Sequence, residues 1–241
     1  MRKLYRLACL VALAGFALQA RADSVAAEQT LLSSTGASNL VRWRPALAAN
    51  DGLWAAQTFT SMAQGELAEV VLPLWRPAGR TGSVFVEIWA ASGGLPVAGT
   101  GALASKSVGL SDLPLASAGF DGNGLNWEHV DLTGAHLQLD AGNHYALVLR
   151  PDTQSSTDVE VGWIHSGSFS NPYPDGARLL QVLDGNQNVA ISWTAAADFS
   201  NADFAFQVAV APVTAVPEPG MFGMLAAGLG LAGFFARRRR G

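Results

Sequence analysis

Between Asp23 and Pro212 no helical period survives; apolar residues recur at every second position instead. Val84, Val86 and Ile88 alternate with Phe85, Glu87 and Trp89. Tyr145, Leu147 and Leu149 alternate with His144, Ala146, Val148 and Arg150. Phe204, Phe206, Val208 and Val210 alternate with Asp203, Ala205, Gln207 and Ala209, so one face is large and apolar and the other small or polar. A strand presents alternate side chains to opposite faces, and a sheet packed on one side carries this pattern.

Less regular runs cover Trp54 to Thr60, Leu67 to Trp75, Leu103 to Val108, Trp127 to Leu132, Val159 to His165, Ala177 to Leu183 and Ala190 to Trp193, for about ten strands in all. Between them lie turn signals: Gly93-Gly94, Asp121-Gly122-Asn123-Gly124, Asp140-Ala141-Gly142-Asn143, Pro174-Asp175-Gly176 and Asp184-Gly185-Asn186. Ser24 to Ala49 is harder to read, with a first strand around Asn39 to Trp43. Such a chain must close or stack its sheets to hide their edges. The expected fold is all-β: two antiparallel sheets in a jelly-roll-like β-sandwich over residues 23–212, with no repeat strong enough for a propeller.

Both ends differ from this pattern. Arg2, Lys3 and Arg6 form a positive start, Leu7 to Leu18 is apolar, and Ala20-Arg21-Ala22 offers a small-residue cleavage site. Residues 1–22 therefore read as a signal-peptide helix, with signal peptidase cutting between Ala22 and Asp23. Cys9, the one cysteine, lies inside that leader, so the exported domain uses no disulfide. At the other end, residues 213–241 run through a short linker to Pro217-Glu218-Pro219. The apolar residues 220–236 and the basic residues 237–240 follow. The two prolines fix φ and remove backbone donors, which keeps the tripeptide extended and open to an enzyme. Met221 to Ala236 would make a helix about 24 Å long. That is slightly short for a span, a gap that snorkelling arginines close. Four arginines hold the end on the cytoplasmic side. The tail is thus expected to be a transmembrane helix with its N-terminus outside.

The Pro-Glu-Pro motif, the Gly/Ala/Leu/Phe-rich helix and the terminal arginines, in that order, resemble the PEP-CTERM sorting signal of Gram-negative bacteria. The resemblance implies that Pro217, Glu218 and Pro219 are recognised by an exosortase, a membrane transpeptidase. The protein would then cross the inner membrane, stay transiently anchored by its C-terminal helix, and pass to the cell surface or extracellular matrix. A second similarity links several segments to the "choice-of-anchor" ectodomains. They are Gln57-Thr58-Phe59, Val84 to Trp89, Gly94-Leu95-Pro96, Leu139 to Leu149 and Asp203 to Val208. That group implies a β-rich bacterial surface domain and carries over no catalytic residues.

The leader and tail hold eight of the 15 Lys and Arg but one of the 19 Asp and Glu, leaving 7 cations against 18 anions and a net −11 between them. An acidic surface argues against nucleic acid, which needs clustered Lys and Arg. It suits a soluble exported protein and is compatible with Ca²⁺. Asp121 and Asn123, and Asp184 and Asn186, place oxygens at alternate positions as Ca²⁺ loops do, though neither completes an EF-hand and both also read as hairpin turns. No other cofactor is implied.

Seven tryptophans fall in the domain, and indoles both fill sandwich cores and stack on sugars. Trp75, between Pro73 and Pro77, and Trp127, after the Asp121 turn, are the candidate ligand contacts. His129, His136, His144 and His165 form no H-x-x-x-H or H-E-x-x-H pattern, and no G-x-S-x-G elbow or nucleotide loop is present. The sequence thus points to a non-enzymatic surface or biofilm-matrix protein, structural or adhesive in association with exopolysaccharide. The alternative is a lectin-like module or a carbohydrate-active enzyme using a carboxylate pair.

Overall fold

The computed structural model describes residues 24–29, 37–45, 52–97, 99–116, 127–165, 173, 176–183, 193–195 and 203–212. The expected signal peptide, residues 1–22, and the tail, residues 213–241, lie outside them. The described chain is all-β, and every strand pair is antiparallel. In order the strands are β1 (Ser24–Gln29), β2 (Ala37–Trp43), β3 (Gly52–Thr60), β4 (Gly65–Trp75) and β5 (Ser83–Ser92). Next come β6 (Leu95–Pro96), β7 (Ala104–Gly109), β8 (Trp127–Asp131), β9 (Gln138–Leu139) and β10 (His144–Pro151). The last are β11 (Val159–His165), β12 (Arg178–Leu183), β13 (Thr194–Ala195) and β14 (Phe206–Pro212).

Hydrogen bonds join these strands into one continuous sheet, ordered β1-β14-β4-β11-β2-β3-β10-β5-β6, with the short strands branching from it. The expected two sheets are therefore two halves of one, and β4 joins them. Most of β4 pairs with β14, β8 and β9, while its last residues, Leu74 and Trp75, pair with Trp163 and Gly162 of β11. An eleven-residue strand is long enough to serve both halves. Register shifts at Val25/Ala27 and at Ala209/Val210 add local bends beside the same residue, Ala209, since a bulge bends its strand. Gly93 (φ 60°) and Gly94 (φ 78°) close the β5–β6 hairpin, as the sequence indicates, because a two-residue turn of this hand needs positive φ at both positions.

One large core lies between the halves. Leu67, Val70, Leu72 and Leu74 of β4 meet Val84, Val86, Ile88, Leu147 and Leu149 there. Phe204, Phe206, Val208 and Val210 are fully buried in it, on the face their alternation assigns. Phe206 packs against Phe59 (5.8 Å between ring centroids) and edge-on to Tyr173 (5.5 Å). Burying each such side chain contributes about 1.5–3 kcal/mol. All seven tryptophans are buried or half-buried.

Candidate functional site

Strands with one buried face usually turn polar side chains outward. β3, β5 and β10 do not. Their outer positions are Trp54, Ala56 and Thr58, then Phe85, Glu87 and Trp89, then Ala146, Val148 and Arg150. Across the sheet Ala56 stands opposite Val148 and Leu179, Val148 opposite Glu87, and Ala146 opposite Trp89. Ala56, Ala146, Val148, Leu179 and Trp193 form a second apolar cluster, with Trp54 and Trp89 packed against it. Ala56, Ala146 and Val148 are fully buried, whereas Trp54, Phe85 and Trp89 are only half-buried. The rings therefore border the small residues and keep part of their own surface in solvent.

A charged pair is set into this face. Glu87 is buried and accepts hydrogen bonds from Arg150 Nη2 (2.7 Å) and Nε (3.2 Å), from Trp89 Nε1 (2.9 Å) and from Ser105 Oγ (3.3 Å). The Arg150 guanidinium carbon stands 4.3 Å from the Phe85 ring centroid and 5.4 Å from that of Trp54. Cation–π contact of this kind suits a guanidinium, whose plane lies flat on a ring. Trp54 in turn faces Trp193 at 6.5 Å. The Trp54 Nε1–H is buried and meets no hydrogen-bond acceptor among the described residues.

The other buried carboxylates are structural in their contacts. Glu160 binds Arg80 (2.9 Å) and Arg44 (3.3 Å), and Arg80 also reaches Asp158 (2.9 Å). Asp203 accepts from Gln57 Nε2 (2.9 Å) and the Tyr173 backbone N–H (3.3 Å), while Gln57 Oε1 accepts from the Phe204 N–H (2.9 Å). Burial pushes the Asp203 carboxyl above the usual range, partly offset by those bonds and by the Arg178 charge. The same burial lowers the Arg178 guanidinium. Trp163 stacks on Phe204 at 4.0 Å and donates to the Ala205 carbonyl (2.9 Å). This network fixes the entry of the chain into β14.

Trp75 and Trp127 come to one neighbourhood on the outer face of the other half: Trp127 is in register with Pro73, two residues from Trp75. Both are half-buried. The Trp75 indole occupies the space that a Cβ on Gly162 would fill, so the glycine seats the ring where β4 crosses to β11. His129 and His136 pair with Glu69 (3.1 Å) and Glu66 (2.7 Å), and His144 with Thr60 (3.0 Å). No cluster of His, Cys, Asp and Glu fit to hold a metal occurs among the described residues. Asp121, Asn123, Asp184 and Asn186 lie outside them, as do Ala22, Asp23, Pro217, Glu218 and Pro219.

β14 ends at Pro212, and the tail follows at once. A family model for the PEP-CTERM protein-sorting motif matches residues 215–240. The chain carries that sorting motif. It implies an exported protein, sorted by an exosortase toward the cell surface, with a membrane-anchoring C-terminus. No curated protein matches the chain.

The Trp54–Trp89 face escaped the sequence reading, which placed ligand contacts at Trp75 and Trp127. Its signal was present: Phe85 and Trp89, and Ala146 and Val148, stand at positions that a one-sided strand would leave polar.

Proposed function

We propose that this is a non-enzymatic protein of the cell surface or extracellular matrix, structural or adhesive in association with exopolysaccharide. Signal peptidase removes residues 1–22, leaving Asp23 first. Residues 23–212 form a surface domain of the choice-of-anchor kind. Residues 220–236 hold it in the membrane as a helix until exosortase acts at Pro217-Glu218-Pro219. The observation that carries this reading is the sorting motif matched at residues 215–240, directly after the last strand.

The topology supports processing at one edge. Ser24 pairs with Val210, so β1 and β14 bring the start and the end of the domain side by side. From Pro212 to Pro217 an extended chain reaches roughly 17 Å at most. The domain therefore stays close to the bilayer while the motif is read there.

Deleting Pro217 to Pro219, or Glu218→Ala, tests this by envelope fractionation. A full-length membrane-bound form should accumulate and the surface form should fall at least tenfold. Variants that reach the surface and lose the tail as the wild type does would overturn the assignment.

A further inference from the structure

We propose that the outer face built by Trp54, Phe85, Trp89 and the Arg150–Glu87 pair is a flat platform that binds an uncharged polysaccharide. The proposal rests on the surface role above and names its ligand class. Trp54, Phe85 and Trp89 border Ala56, Ala146 and Val148, which are fully buried, and are themselves only partly buried. Sugar rings have an apolar C–H face and a hydroxyl edge, and partly exposed indoles match the first.

The charged pair matches the second. Arg150 spends Nε and Nη2 on Glu87, and its Nη1 group has no partner among the described residues. Glu87 takes donors from Arg150, Trp89 and Ser105, which locks the guanidinium in place. A fixed, uncommitted planar donor beside an aromatic surface is suited to hydroxyl oxygens.

Charge and size select the occupant. Arg150 and Glu87 neutralise each other, and the chain between leader and tail carries a net −11, which repels polyanions. Trp89 pairs with Ala146, which pairs with Thr58, so Trp54 and Trp89 are two strands apart and four residues apart along the strand. With about 4.8 Å between strands and about 3.3 Å per residue, their backbones are roughly 16 Å apart. That span fits several linked sugars better than one.

The test uses the full chain in detergent, with cellulose and dextran as uncharged probes and alginate as the polyanion. Co-sedimentation and tryptophan emission report binding, and thermal melting reports folding. Cellulose or dextran should bind and alginate should not. Trp89→Ala should weaken binding at least tenfold, Trp89→Phe should restore most of it, and Met62→Ala, at an exposed site away from this face, should leave it unchanged. Failure of both uncharged probes, preference for alginate, or undiminished binding by a folded Trp89→Ala would each overturn the proposal. Fractionation of the same variants separates the two readings. Normal surface delivery with lost binding assigns the platform to the ligand, whereas lost delivery contradicts the sorting account alone.

Discussion

The two faces of β3, β5 and β10 are both apolar, but they are built differently. The inner face uses Phe59, Val84, Val86, Ile88, Leu147 and Leu149, which interdigitate with β4 and β14 of the other half. The outer face uses alanines, one valine and aromatic rings, with the Glu87–Arg150 ion pair among them. Close packing on both sides yields stability, because the interior is filled to the density of a crystal. Trp54, Phe85 and Trp89 keep part of their surface in solvent, so less of it leaves water. The difference separates a face that holds the fold from one that is offered outward.

The largest effect that sharpens this contrast belongs to the inner face. Phe206→Ala removes a fully buried ring from contact with Phe59 and Tyr173 and should destabilise by about 3–5 kcal/mol in urea titration. An unchanged melting curve would break the assignment of that face as the core.

A smaller effect lies in the network at the entry to β14. Asp203→Asn keeps the side-chain size but removes a negative charge beside the buried Arg178, a loss of about 1–3 kcal/mol near neutral pH. The pH dependence has a definite sign. Burial raises the folded-state value of Asp203, so the folded protein keeps this proton where the unfolded chain has lost it. The stability from that proton is complete below the unfolded value and is lost as pH rises through the folded one. The wild type should therefore gain on Asp203→Asn as the solution is acidified through that window. Equal slopes for both proteins would contradict the buried placement.

The smallest effect belongs to the outer face. Trp89→Ala, the binding variant above, should cost only about 1–2 kcal/mol because its ring is half-exposed. A loss as large as that of Phe206→Ala would make the outer cluster a second core and remove the contrast.

Much of the inner face was legible in the sequence. Phe204 to Val210 alternates cleanly, and every large member is buried on one side. The Gly93-Gly94 turn was equally legible, since few residues tolerate two successive positive φ values. Strand order was not. Alternation tells which way a side chain points but not which strand lies beside it, and β14 lies between β1 and β4, far from both in sequence. β1 itself, Ser24–Gln29, holds too few large apolar residues to stand out. Gln57 is polar yet fully buried, because Asp203 and Phe204 meet its amide across the fold. The joining role of β4 was hidden too: it depends on Gly162 leaving room for Trp75, a contact between residues far apart in the chain. The sorting tail was legible without any fold, because an enzyme reads it as a short linear signal.

The most direct test of the account is the intact mass of the protein released at the wild-type cell surface. The account predicts a chain that begins at Asp23 and has lost the apolar segment and the four terminal arginines after cleavage near Pro217-Glu218-Pro219. A surface form that still carries residues 220–240 would contradict it and leave the tail as a plain anchor.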